Sequence, residues 1–171
     1  MILQGERLQL KTLTPAMVTQ KYVNWMNDPN VTKYTESRFC KHTMESVTGY
    51  VKTVSGSSEN YFYGIYTGEH IGNIKLYVNA YHNLGDIGII IGDRQQWGKG
   101  YAAEAIKLLT QHGFDKIGLH KISAGIYANN TGSLKAFKAA GYSQDGIHKR
   151  TYLSGGDYVD EIIVSRWNED L

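Results

Sequence analysis

Between Asp86 and Tyr127 the hydrophobic period of the chain changes twice, which dictates a strand, a long helix and a second strand in succession. Asp86-Ile87-Gly88-Ile89-Ile90-Ile91 is a β-branched run, the pattern of a strand buried on both faces at a sheet centre. From residue 98 to 116 the repeat becomes helical. Ala102, Ala105, Ile106, Leu109 and Gly113 share one side, and Glu104, Lys107 and Gln111 the other. Residues 121–127 then alternate through Ile122, Ala124 and Ile126. Strand, helix and strand in this order predict a right-handed crossover joining two parallel strands.

Turn chemistry places the remaining elements. Residues 7–13 alternate as a first strand. Thr14-Pro15 reads as a cap followed by proline at the first helical position, and that helix is expected to reach about Trp25. A second helix is expected over 43–54. The runs 61–66 and 71–77 flank Thr67-Gly68-Glu69-His70 and predict a β-hairpin; 147–153 and 158–166 flank Ser154-Gly155-Gly156-Asp157 and predict another. A short helix over 132–140 ends at Gly141, a natural residue just past a helix end. The order is β-α-α-β-β-β-α-β-α-β-β: an α/β chain with a mixed, mostly antiparallel sheet of about seven strands.

The chain has 171 residues, two prolines near its start and nineteen scattered glycines, with no linker-like stretch, so one domain over 1–171 is expected. A domain of this size buries roughly 70% of its unfolded surface and needs neither disulfide nor structural metal. Cys40 is the lone cysteine, and the six histidines show no metal-ligand spacing, so no metal is expected. Eighteen Lys and Arg against sixteen Asp and Glu leave +2 without a basic block. That gives no electrostatic case for nucleic acid or a membrane surface. With no apolar leader and no span-length apolar window, the expected location is the cytoplasm.

The chemically distinctive segment is Gln95-Gln96-Trp97-Gly98-Lys99-Gly100-Tyr101-Ala102, between the isoleucine strand and the long helix. Glycines there allow a tight turn that presents free N–H groups at a helix N-terminus, a setting for a phosphate or pyrophosphate. A Walker loop requires Lys followed by Ser or Thr, whereas Lys99 is followed by Gly100. Gly98-Lys99-Gly100 with Ala103 satisfies a loose dinucleotide-binding pattern, but follows several antiparallel strands rather than opening the first βαβ unit.

Gln95-x-x-Gly98-x-Gly100 resembles the acetyl-CoA signature of the GNAT acyltransferases, and the segment from Trp97 through Ala105 resembles its RimJ/RimL-type branch. Asn130-Thr131-Gly132-Ser133 ahead of Gly141-Tyr142 is similar to the Asn-x-x-Ser...Gly-Phe/Tyr element of that family. Gly5-Glu6-Arg7-Leu8-x-Leu10, with Trp25-x-Asn27-Asp28-Pro29, resembles the branch's N-terminal pattern. The resemblance covers essentially the whole chain. It implies a GNAT fold whose central parallel strands splay apart, exposing backbone groups of Ile89, Ile90 and Ile91 to the pantetheine arm of acetyl-CoA. The amides of Gln96, Trp97, Gly98, Lys99, Gly100, Tyr101 and Ala102 would hold the pyrophosphate, and Asn130 would meet the pantetheine.

Acetyl transfer to an amine needs a neutral nitrogen, a polarised carbonyl and a proton for the departing thiolate. The resemblance suggests Asp86 as base, with Glu36 as fallback, and Ser133 as the hydroxyl near the CoA sulfur. The position seven residues beyond Asn130, where many members carry a tyrosine acid, is Phe137 here. Tyr127 and Tyr142 stay open as alternatives. Trp25, Asn27 and Tyr34 are expected on the acceptor side, with His82 as a further contact. A covalent route through Cys40 is disfavoured by its sequence distance from the CoA elements. The expected partner is a small-molecule or peptide amine, with a homodimer compatible. The rival reading is a CoA-binding sensor that lacks turnover.

Overall fold

A computed structural model describes residues 1–169. Eight strands form one sheet: β1 (Ile2–Gln4), β2 (Gln9–Thr12), β3 (Asn60–Thr67), β4 (Glu69–Asn79), β5 (Leu84–Ile91), β6 (Lys121–Tyr127), β7 (Ser143–Ser154) and β8 (Asp157–Trp167). They lie in the order β1-β2-β3-β4-β5-β6-β8-β7. Every neighbouring pair is antiparallel except β5 with β6. The strand absent from the sequence reading is β1, a short edge segment held through Leu3↔Leu10. Three residues carry too little pattern to announce a strand.

The helices are α1 (Gln20–Met26), α2 (Pro29–Thr32), α3 (Met44–Ser55), α4 (Tyr101–His112) and α5 (Thr131–Ala139). α4 is the expected long helix, closed by a π-helical turn, Gly113–Ile117. α3 begins at a reciprocal capping box between Thr43 and Ser46. The first helix departs from expectation. Pro15 does open a helical turn, but only the 3-10 turn Pro15–Met17, and the chain is extended again at Val18. α1 restarts behind Thr19, whose side chain accepts from the Tyr22 N–H.

The parallel pair decides the architecture. β5 and β6 are in register only at Leu84↔Lys121, Gly85↔Ile122 and Asp86↔Ser123. Beyond these they separate, while each keeps its outer partner: β5 pairs with β4 as far as Ile91↔Gly72, and β6 with β8 as far as Tyr127↔Glu161. Ile89, Ile90 and Ile91 are therefore half-buried, not enclosed on both faces as the apolar run suggested, because a neighbouring strand is missing on one side.

Apolar side chains pack on both faces of the sheet. Ile74, Leu76, Ile87, Ile122 and Ala124 meet Ala105, Ile106 and Leu109 of α4 on one face. On the other, Phe62 and Ile90 meet Tyr22, Val23, Trp25, Val47 and Val51 of α1 and α3. Helices on each side thus leave the gap between β5 and β6 as a passage through the sheet.

Gly92, just past β5, lets the Trp25 indole lie directly on the backbone; a methyl group there would overlap the ring. A methyl group on Gly88 would meet open space. Gly92→Ala should destabilise the fold by about 1–3 kcal/mol through overpacking, whereas Gly88→Ala should leave the unfolding free energy from urea titration within about 0.5 kcal/mol of the parent. Equal midpoints for the two variants would contradict this packing.

Candidate active site

The glycine loop sits at the open end of the strand gap. Asp93 accepts from the Gln95 N–H and starts the 3-10 turn Arg94–Gln96. Gly98 and Gly100 both adopt left-handed conformations, at φ of 75° and 82°, which side-chain-bearing residues rarely take. α4 starts at Gly100 with no side-chain cap. The N–H groups of Tyr101, Ala102 and Ala103 thus open the helix without intrahelical acceptors.

The expected row of donors is shorter than the sequence suggested. Gln96 N–H donates to Asp93 O and Trp97 N–H to Arg94 O, so these two amides are engaged in the turn. Trp97 also donates its indole N–H to Ile91 O at 2.8 Å, and the Lys99 ammonium donates to Gln96 Oε1 at 3.0 Å. From below, Arg7 donates to Lys99 O at 2.9 Å and pairs with Glu104 at 2.8 Å. The loop is a braced, electropositive cradle, and Arg7 is a component that the sequence motif did not identify.

A cleft of about 620 Å³ occupies the gap between the two strands. Gly88, Ile89 and Ile90 line one wall; Ala124, Gly125, Ile126 and Tyr127 line the opposite wall. Asn130, Ser133 and Phe137 close the α5 side. The Asn130 side-chain oxygen accepts from the Ser133 N–H at 3.2 Å and caps the helix. Phe137 is 2% exposed and packs edge-on against Tyr142, with centroids 5.1 Å apart. Tyr142 is buried, with its hydroxyl 2.7 Å from that of Thr110, and burial pushes its phenol well above the ordinary value. It belongs to the core.

The opposite side of the cleft carries the ionisable groups. Glu36, Tyr34, Tyr50, Lys75, Tyr127 and Tyr152 line it. The Tyr127 hydroxyl receives a bond from Arg38 at 2.8 Å and donates to Glu36 Oε1 at 3.2 Å. Burial raises the Tyr127 phenol, and the adjacent Arg38 opposes that shift. Its ring stacks on Tyr152 at 3.9 Å, and Tyr152 donates to Glu161 Oε1 at 2.6 Å. Asn73, 3% exposed, also lines the cleft; its oxygen meets His70 Nε2 at 2.9 Å while its Nδ2 has no hydrogen-bond partner among the described residues. A buried amide in the apolar strand Ile71-Gly72-Asn73-Ile74 was the sequence signal for this donor.

Several expected site residues lie elsewhere. Trp25 is a buried core residue against Gly92 and His70 rather than an acceptor contact. Asn27 is a clasp, donating to Val23 O and His42 O and accepting from the His42 N–H. His82 lies in the exposed turn that precedes β5, at the end of the strand away from the cleft mouth. Tyr34 does reach the cleft, donating to Asn129 O at 3.1 Å. Cys40, remote in sequence, nevertheless borders it.

Asp86 occupies the last paired position of the parallel strands, and Glu36, not Asp86, is among the cleft-lining residues. Asp86 retains open surface, yet crowding by protein atoms raises its carboxyl above the ordinary 3.8, with Lys75 opposing and Glu161 reinforcing. A raised folded-state value means the native state binds the proton more tightly than the unfolded chain. The stabilising contribution is complete below the unfolded value and is lost as pH rises through the folded one. Asp86→Asn should therefore be more stable than the parent at pH 7 and should lose that advantage near pH 3. A variant less stable than the parent at both pH values would contradict the desolvation account.

The family model described as "Acetyltransferase (GNAT) domain" matches residues 7–143. The uncharacterized N-acetyltransferase YnaD of Bacillus subtilis (strain 168) is 30% identical over 156 residues, 87% of this chain and 89% of that protein. The probable N-acetyltransferase YjcK of the same organism is 29% identical over 117 residues, a match that spans 66% of this chain and 64% of the relative. Spermidine N-acetyltransferase from Vibrio cholerae, solved with CoA and spermine, superposes with a TM-score of 0.83 at 19% identity, covering 94% of this chain and 95% of that one. The splayed strand pair and the glycine loop are thus the elements of a known architecture, and the chain belongs to the GNAT acetyltransferase family.

Proposed function

We propose that this chain is a cytoplasmic, acetyl-CoA-dependent N-acetyltransferase of the RimJ/RimL-type branch, acting on a primary amine by direct transfer in a ternary complex. The observation that carries this reading is the alignment of a free-amide glycine loop with a gap between two strands that still have unpaired edges. A pyrophosphate suits the N–H groups of Gly98, Lys99, Gly100, Tyr101 and Ala102, with Gln96 and Trp97 shaping the turn beneath them. Space above Gly98 is open, as close approach of an anion requires. The amide-bearing pantetheine arm suits the inner backbone edge of Ile89, Ile90 and Ile91, with the amide N–H groups of Asn130 beside it. When bound, acetyl-CoA supplies an activated thioester.

In the transfer, the amine nitrogen forms a bond to the acetyl carbon while the carbon–sulfur bond breaks. The ammonium form of the acceptor must first lose a proton, and Glu36 is the carboxylate that lines the cleft to receive it, oriented by Tyr127. Asp86, on the same sheet face, is a second carboxylate for that proton through water. Ser133 lines the cleft from α5, and its hydroxyl is the candidate donor to the departing sulfur, with Tyr127 the alternative. The acceptor is an amino-sugar nucleotide or a peptide N-terminal amine.

Gly100→Val should weaken acetyl-CoA binding at least tenfold in a calorimetric titration while the protein remains folded by circular dichroism; parental affinity would remove the loop from the site. Glu36→Gln should lower kcat about 10²-fold or more at neutral pH, with the deficit shrinking as pH approaches the acceptor amine's own pKa. A parental rate in Glu36→Gln and a reduced one in Asp86→Asn would transfer the role of base to Asp86. Acetyl-CoA binding without thiol release for any amine would favour the sensor reading.

A further inference from the structure

Beside the cleft lies a second cavity of about 480 Å³, walled by the segment that follows α1 and by the β7–β8 turn at Leu153, Ser154 and Gly155. Met26, Cys40 and Lys41 border both cavities, so the two adjoin. The second cavity is lined by Lys33, Arg38 and Lys41, and no carboxylate among the described residues lines it. The main cleft is lined by Glu36 together with Lys41, His42 and Lys75. The acid available to take the acceptor's proton thus lies beside a recess whose charged lining residues are cationic.

Arg38 builds the recess rather than binding in it. Its guanidinium donates to Lys33 O at 3.0 Å, to Leu153 O at 2.7 Å and to the Tyr127 hydroxyl at 2.8 Å, tying the turn tip to the cleft. Its planar fork is thereby committed, and its positive charge stays fixed in the wall. The ammonium of Lys33 lies over the Tyr34 ring, 5.0 Å from its centroid, and neither Lys33 nor Lys41 has an ion pair among the described residues. Two mobile point charges over a fixed third suit a multiply charged phosphate better than a planar carboxylate, which an open Arg fork would grip. Phe39, exposed and carrying Arg38 4.4 Å from its ring centroid, adds an aromatic surface to the same wall.

We propose that this recess is the subsite for a phosphate-bearing tail of the acceptor, so that the acceptor is an amine linked to a nucleoside diphosphate rather than a polyamine. The inference rests on the acyl-transfer reading for the position of the amine. A polyamine would present further ammonium groups to Lys33, Arg38 and Lys41, an arrangement that electrostatics opposes.

The test uses UDP as probe on the full chain preloaded with saturating CoA, so that the nucleotide loop is already occupied. Titration calorimetry should show saturable one-site UDP binding. Lys33→Gln with Lys41→Gln should weaken it about tenfold and leave CoA affinity unchanged. Absence of UDP binding to the CoA-loaded protein, or equal affinity in the double variant, would overturn the subsite. So would tighter binding of spermidine, or of a glutamate-rich tripeptide, in the same recess. The preceding CoA titration judges the acyl-transfer assignment separately: failure to take CoA overturns that assignment, while UDP binding and its lysine dependence still judge the recess.

Discussion

The sheet is held together at its centre by a parallel pair that is in register at three positions and then comes apart. A β-strand edge left without a partner normally costs stability or invites aggregation. Here both edges face a cleft inside the protein, where a ligand backbone can supply the missing hydrogen bonds. The flanking antiparallel pairs compensate for the loss. β5 remains fully paired to β4 and β6 to β8, so the gap is rigidly framed rather than frayed.

The other features of the site follow from that gap. Because β5 leads directly into the glycine loop and α4, the helix N-terminus lies beyond the open end of the strand pair. Because β6 leads directly to Asn130 and α5, the capping residue and Ser133 lie on its other lip. The ionisable side of the cleft is assembled from the N-terminal segment, which is fastened by Arg38 to Tyr127 and to the β7–β8 turn. Binding of a highly anionic partner by a chain of net charge +2 then needs no basic tract, since oriented amides and a few placed cations supply the field.

What could be read from the sequence was what depends on local pattern. The helical period of α4, the Gly155-Gly156 turn, the helix beginning near Thr43 and the tight turn at Gly98 and Gly100 are all short-range consequences of residue type. What could not be read depends on which distant segment lies opposite. The apolar run Ile89-Ile90-Ile91 looked doubly buried because sequence does not show where a neighbouring strand departs. Trp25 packs on Gly92 and so leaves the acceptor side, His82 falls at the wrong end of β5, and Cys40 comes to the cleft from afar. Arg38 and Glu36 acquire meaning only through Tyr127, about ninety positions further along the chain.

The central claim is that the unpaired edge of β5 and the amides of the glycine loop receive the same ligand. Hydrogen exchange followed by mass spectrometry, with and without saturating acetyl-CoA, measures this directly. The account predicts that peptides covering residues 87–92 and 98–103 both gain protection on acetyl-CoA addition, while the β1–β2 edge does not change. Saturable binding that leaves the 87–92 peptide exchanging as in the free protein would contradict it.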